Sequence, residues 1–437
     1  MRILLLNPPI YDFSAYDFWL KPFGLLRVAG YLRNQAELVL YDSLDRLHPT
    51  MVQDKRCASD LWGRGKFLQE TVSKPPVFED FSRNFRRFGL PRASFQTFLQ
   101  QQPPFDVALV QTMMSYWYPG VQEVLEDLRR YSPQTKIVLG GVYATLCPEH
   151  ARSLGAELVI EGLDLDPLWN YLQRTPDLNQ LPYWEGYPRL ETGILKLADG
   201  CPFRCTYCSV PQIYPDFEMK PISRSLQELD FLVQQGVRHI AFYDDAILHQ
   251  SKQLFLPFLK EVLQRKYPLS FHTPNALNAR FITEEIATLM VRAGFKTFHL
   301  GFESAAYEWQ RKTGSKVYTH EFVQAVRYLK EAGADPRQIV AYFIIGHPEE
   351  NQQDINASLE LAHETGVQLM LSEFSPLPGT PDGEACRKWV SLEEPLWHNK
   401  TIFTLIRLGE VETQRLKTLC RQLNQEKSPQ DSLFSTS

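Results

Sequence analysis

The sequence predicts an α/β chain made of two successive βα series: an N-terminal doubly wound parallel sheet, then a partial (β/α)6 barrel of TIM type, then a short helical C-terminal tail. Three observations carry this. Across 1–175, short apolar runs alternate with stretches of helical period, the pattern of a parallel sheet covered by helices. Across 193–385 the alternation recurs in six successive βα units. Between them, 176–192 carries Pro176, Pro182, Pro188 and Gly186, the composition of a linker.

In the first series, strands are expected at 3–6, 37–41, 107–111, 136–139 and 157–160, with helices over 23–33 and near 120–131 and 148–154. Residues 50–104 break the rhythm. They hold Pro75, Pro76, Pro91, Pro103 and Pro104 and no clear strand, and read as a partly helical insertion. Within it Phe81, Arg83, Phe85, Arg86, Arg87 and Phe88 interleave charge and aromatic rings, which reads as an amphipathic surface helix in preference to a nucleic-acid contact, for which the net charge gives no support.

In the second series, strands are expected near 193–198, 238–243, 269–273, 297–301, 339–345 and 368–374. Helices such as 224–235, 284–293 and 320–332 fill the gaps. Functional residues of such a barrel belong at the C-terminal ends of its strands. The tail, 386–437, reads as polar and helical, with 427–437 disordered.

Composition narrows the function classes. Of 437 residues, 44% are hydrophobic and 22% charged, an ordinary globular balance. Net charge is −5, so no basic field exists to hold nucleic acid or an anionic membrane. Pro8 and Pro9 end the first apolar run too soon for a signal-peptide core, and no apolar stretch is long enough to span a bilayer. The chain reads as cytoplasmic, with no membrane span. Seven cysteines are too few and too odd for a disulfide framework.

Three of the seven, Cys201, Cys205 and Cys208, fall together just after the barrel's first strand. Thiolates suit iron–sulfur clusters or zinc. One tight loop with C-x3-C-x2-C spacing can wrap a small cluster. Three ligands on a four-iron cubane leave one iron open for a substrate or cofactor. A zinc knuckle completed by a histidine, and three inert buried cysteines, are the competing readings.

With Tyr207 before its last cysteine, the C-x3-C-x2-C segment resembles the radical S-adenosylmethionine (SAM) superfamily. The resemblance spans about 193–382 and extends to the later strand ends. Phe242, Tyr243, Asp244 and Asp245 stand where that family contacts the SAM amino group. His299, Gly301 and Glu303 stand where it contacts the ribose. Gly346 and Glu349 resemble its adenine-side G-x-x-E element. The resemblance implies a [4Fe-4S] cluster on Cys201, Cys205 and Cys208, whose open iron binds SAM, and an electron donor such as ferredoxin or flavodoxin. It implies reductive cleavage of SAM to methionine and a 5′-deoxyadenosyl radical, the cofactor supplying the hard chemistry.

Each of these residues also has a bland reading. Tyr207 shields the cluster or touches adenine, or merely packs the loop. Asp244 and Asp245 contact SAM or cap the next helix. Glu303 binds ribose or is a surface carboxylate. Gly346 touches the cofactor or is a hinge after its strand. Asn275, in the segment from His272 to Arg280, faces substrate or SAM, or makes a turn. The isolated histidines, His347 among them, show no ligand spacing.

The first series offers two loops at strand ends. Asn7, Pro8 and Pro9 lead into an aromatic stretch, and Gly140 and Gly141 permit close backbone approach to a large flat or phosphorylated ligand. Together with Gly24 and Gly162, these features resemble a cobalamin-binding domain over about 1–165. The usual D-x-H-x-x-G segment is absent. The nearest text, Asp45 to His48, has the wrong spacing, with Met51 in place of glycine. Cobalamin without a protein histidine and a domain without the cofactor both stay open.

The leading expectation is a radical SAM enzyme acting on a small molecule, lipid or peptide. It starts either hydrogen abstraction or cobalamin-dependent methyl transfer to an unactivated carbon. An RNA or protein methylthiotransferase is the alternative enzyme, and it asks for a second cluster. A non-enzymatic iron–sulfur or zinc sensor is the third class.

Overall fold

The structure is a computed structural model that describes residues 1–426, so the tail stretch 427–437 lies outside the described residues. The chain forms two compact units. One comprises Met1–Gly193 with Ser391–Asn399, and the other Ile194–Val390 with, among the described residues, 400–426. Among the described residues no helix is long and apolar enough to cross a membrane.

The first unit is a five-stranded sheet in the order Glu37–Asp42, Arg2–Asn7, Val107–Thr112, Lys136–Gly141, Leu158–Ile160. All four pairings are parallel, and Ile3 sits opposite both Leu38 and Val107. The strands are apolar runs because helices cover both faces. Helix Phe23–Leu32 shows why: Leu25, Leu26, Ala29 and Leu32 fall on one stripe and are buried. Of these, Leu25, Ala29 and Leu32 pack with Ile3, Leu5, Leu109 and Val138 into a core closed by Trp169 and Leu172.

Four expectations fail in this unit, each because distant partners override local pattern. The insertion is not devoid of strands: Gln69–Thr71 and Arg86–Phe88 join Ile10–Asp12 in an antiparallel three-stranded sheet. The expected amphipathic helix at 81–88 is therefore partly a strand. Its Arg87 is 4% exposed and grips both oxygens of Glu123 at 2.8 Å, while Phe85 and Phe88 are buried. The expected linker 176–192 is packed onto the unit rather than free. Trp184 is 1% exposed, and the Tyr187 hydroxyl donates to Asp42 at 2.6 Å.

The fourth failure is in the tail. Ser391–Asn399 is not part of the terminal helix but belongs to the first unit. His398 is fully buried with Nδ1 2.8 Å from Ser115 Oγ, and Asn399 Nδ2 donates to Asp12 at 2.9 Å. The helix itself runs Lys400–Gln425, broken at Gly409.

The second unit is an open six-stranded barrel sheet. Its strands lie side by side in chain order: Thr192–Leu195, His239–Phe242, Ser270–Asn278, Phe295–Glu303, Ile339–Ile345 and Gln368–Glu373. Helices Ile222–Gln234, Phe255–Arg265, Glu284–Ala293, Thr319–Glu331 and Gln352–Glu364 fill the gaps between successive strands. Phe242, Phe255, Phe271 and Phe295 interlock at 5.2–6.3 Å between ring centres. Two strands run further than expected. The third continues to Asn278 through a register break between Thr273 and Leu277, and the fourth ends on Glu303 itself.

Candidate active site

The cysteine loop leaves the barrel's first strand at its C-terminal end. Ala198–Asp199 pairs antiparallel with Glu218–Met219 and closes the base of the loop. Gly200 makes the turn at φ +80°, and a Cβ there would strike Asp216 O at 2.1 Å, so only glycine fits. Cys205 is buried, Cys201 and Cys208 are half-buried, and all three are free thiols. Cys208 N–H donates to Cys205 O at 3.1 Å. Arg204 donates to Cys201 O and Pro215 O at 2.9 and 3.0 Å, tying the two arms of the loop together.

Burial pushes the three thiols up, Cys205 to about 11. Lys316 acts against burial at all three. A metal must displace these protons, which soft thiolate ligation to iron does readily. Among the described residues no three His, Cys, Asp or Glu side chains converge on a single-ion site. A cubane asks for something different, one sulfur for each of three irons, and the donor set of this loop matches that demand.

Lys316 Nζ is also 2.9 Å from Glu303 Oε1. Glu303 ends the fourth strand at φ +59°, a strained conformation for a residue with a side chain. A Cβ on Gly301 would lie 2.7 Å from both charged atoms of the pair. Tyr207 hydrogen-bonds Cys205 and stacks on Trp309 at 6.0 Å and 18°. Sequence reasoning missed Lys316 and Trp309, whose only signal is their place shortly after the fourth strand.

Asp244 and Asp245 differ. Asp244 is 4% exposed and accepts from the N–H groups of Leu197 and Ala198 at 2.8 and 2.7 Å through one oxygen. Its other oxygen is buried without a partner, and burial pushes its pKa to about 7. Neither residue is a plain helix cap. Asp245 is half-buried and stands 3.8 Å from Lys196 Nζ, which bonds Asp199 at 2.9 Å.

The remaining residues are scattered more widely. Asn275 sits in the irregular part of the third strand, exposed, and donates to Tyr243 O at 3.0 Å. Gly346, at φ +81°, lies against Thr404, which leaves no room for a Cβ. Glu349 is exposed beside Lys312 at 3.6 Å.

In the first unit, Gly141 ends its strand at φ +117°, with Thr112 O 2.3 Å from where a Cβ would be. The Thr112 hydroxyl donates to Gly140 O at 3.1 Å. Met114 and Leu163, just beyond the two strands that flank Lys136–Gly141, are 46% and 53% exposed. Gly162 has nothing within 4 Å of its Cβ position. The strand ends thus form a shelf of glycine and apolar side chains. His48 is not on it: its ring caps its own helix, accepting from Thr50 N–H at 3.2 Å.

Comparison with known proteins bears first on the barrel. Residues 195–362 match the family model of the radical SAM superfamily. That match lies within the barrel and covers 195–362 of the 437 residues. An uncharacterized methyltransferase of Pyrococcus horikoshii is 26% identical over 191 residues, covering 43% of this chain and 40% of that protein. A threonylcarbamoyladenosine tRNA methylthiotransferase of Thermotoga maritima is 23% identical over 279 residues, covering 60% and 64%. The chain spans about half the length of these curated relatives.

The radical SAM methyltransferase TsrM from Kitasatospora setae, solved with tryptophan and a SAM analogue, is similar over 89% of this chain and 76% of its own. The TM-score is 0.64 at 15% identity. A second structure of it holds cobalamin and a [4Fe-4S] cluster, with TM-score 0.63 over 90% and 79% of the two chains at 15% identity. At this identity the likeness is one of fold. It reaches beyond the radical SAM barrel and takes in the N-terminal sheet.

Proposed function

We propose that this chain is a radical SAM enzyme of the cobalamin-dependent methyltransferase type. The observation that carries the reading is the loop of Cys201, Cys205 and Cys208 at the C-terminal mouth of the barrel, in a chain whose fold likeness to TsrM extends over both units. When bound, the cluster supplies the electron that cleaves SAM, and cobalamin supplies a cobalt carrier for the methyl group.

The chain's own residues do the rest. Cys201, Cys205 and Cys208 hold three irons and leave the fourth for SAM. Tyr207, on Trp309, covers the loop against water. Glu303, held in its strained conformation by Lys316, offers a carboxylate at the barrel mouth for a ribose hydroxyl. Asp245, rather than the backbone-bound Asp244, offers one for an ammonium group. The glycine shelf of the first unit takes the corrin, with no histidine from the segment around His48. Reducing equivalents come from a carrier such as ferredoxin or flavodoxin. The substrate class is a small molecule, lipid or peptide.

The test is anaerobic purification and reconstitution, with iron, sulfide and cobalt measured, then reduction and addition of SAM. About four irons and one cobalt per chain, with S-adenosylhomocysteine formed, support the reading. 5′-Deoxyadenosine without cobalt points instead to hydrogen abstraction alone. Iron well above four points to a methylthiotransferase. Metal binding without any SAM cleavage overturns the enzyme reading.

A further inference from the structure

The stretch between Cys205 and Cys208 is gripped from outside. Thr206 N–H donates to Thr313 O at 3.2 Å, and Asp382 N–H donates to Thr206 O at 3.1 Å. The Thr206 hydroxyl donates to Asp382 Oδ2 at 2.6 Å, and His347 Nε2 is 2.9 Å from the same oxygen. His347 Nδ1 accepts from Glu349 N–H at 3.2 Å and from Trp309 Nε1–H at 3.4 Å. With Nδ1 accepting, Nε2 carries the proton, so His347 donates to Asp382. Trp309 in turn stacks on Tyr207. The chain of contacts leaves Thr206 and returns to Tyr207, the two residues between the cysteines.

Nothing in this chain of contacts is loose. His347 is 2% exposed and is packed edge-on against both Trp309 and Phe374. Asp382 is held a third time by Cys386, whose thiol donates to its carbonyl at 3.0 Å. Its carboxylate is an acceptor for two donors that face it from the fifth strand's end and from the cysteine loop.

We infer that Asp382 and His347 are positioning residues that set the spacing of the Cys205 and Cys208 sulfurs through Thr206 and Tyr207. The inference rests on the cluster reading given above. Three thiolates on a floppy loop must be ordered by the metal itself. A loop already clamped at both intervening residues presents its sulfurs with that ordering done, so cluster loss should be slower. Partners of this outer kind typically contribute about 10–100-fold to metal affinity.

The experiment compares reconstituted wild type with Thr206→Val, Asp382→Ala, His347→Ala and His347→Gln. Iron content, the electron paramagnetic resonance signal of the reduced cluster, and the rate of iron loss to a chelator are measured, with circular dichroism as the check on fold. Thr206→Val removes one hydroxyl and keeps the side-chain shape, so it stays informative if the Asp382 variant does not fold. Expected are iron loss about tenfold faster and a changed resonance signal in Thr206→Val, Asp382→Ala and His347→Ala. His347→Gln, which retains an N–H donor, should recover most of the wild-type rate. A loaded wild type whose folded Val and Ala variants lose iron at the same rate with the same signal overturns this inference alone. A wild type that takes up no iron overturns the cluster reading and this inference with it.

Discussion

Glu303 and Lys316 meet at 2.9 Å directly beside Gly301, a residue with no side chain to separate them. A methyl group on Gly301 would lie 2.7 Å from both charged atoms, so Gly301→Ala must displace the pair. The expected cost is about 1–3 kcal/mol, read as a lower denaturant midpoint. Lys316→Met keeps the stem and removes the charge near the thiols. In the reconstituted protein the midpoint potential of the cluster should fall, because the added electron loses a neighbouring cation. An unchanged potential in a redox titration refutes that role for Lys316.

Replacement of Cys201, Cys205 or Cys208 by Ala should remove most of the bound iron and abolish SAM cleavage, since two thiolates cannot retain a cubane that needs three. Iron analysis and chromatography of the products check this. Wild-type yields of 5′-deoxyadenosine or S-adenosylhomocysteine from any of the three variants would falsify the ligand assignment.

Asp244 makes stability depend on pH. Burial raises its folded pKa from 3.8 to about 7, so the contribution of this group is full below the unfolded value and is lost as pH rises through about 7. Asp244→Asn keeps an oxygen for the N–H groups of Leu197 and Ala198 and cannot ionise. It should melt several degrees above wild type at pH 8, with the difference vanishing towards pH 4. Melting curves across that range decide it, and a gap that widens at low pH contradicts the assignment.

Glu123 and Arg87 are each 4% exposed and bonded twice to each other. Removing the charge from Glu123 leaves the buried Arg87 with only the exposed Glu70, 3.7 Å away. Glu123→Gln should lose about 3–5 kcal/mol in urea unfolding, and Arg87→Met combined with Glu123→Leu should recover much of it. Equal losses in the single and double variants would show that packing, not charge, accounts for the effect.

What the sequence revealed was whatever repeats locally or sits close along the chain. The apolar runs of both sheets, the stripe of helix Phe23–Leu32 and the C-x3-C-x2-C loop all lie within one short window. Asp382, 176 residues from Thr206, had no such signal. His347 read as one of several isolated histidines because its partners, Trp309 and Asp382, come from two short helices elsewhere in the chain, Tyr307–Lys312 and Pro381–Glu384. The three-residue strands Gln69–Thr71 and Arg86–Phe88 are too short to show alternation, and only pairing with Ile10–Asp12 makes them strands. Glu303 and the Gly140–Gly141 pair were visible as strand-end residues, but the conformational strain at Glu303 was not.

The return of Ser391–Asn399 to the first unit bears on the order in which the molecule can be completed during synthesis. Asn399 bonds Asp12 and His398 bonds Ser115, so the N-terminal sheet acquires its last pieces only after the whole barrel has been translated. At ~5–20 residues per second, the ~200 residues between Gly193 and Ser391 take roughly 10–40 s. For that time the first unit lacks the Asn399 bond to Asp12 and the His398 bond to Ser115, which its own late-made segment then supplies. A fragment ending at Val390 would contain every strand of both sheets and still leave the first unit unfinished.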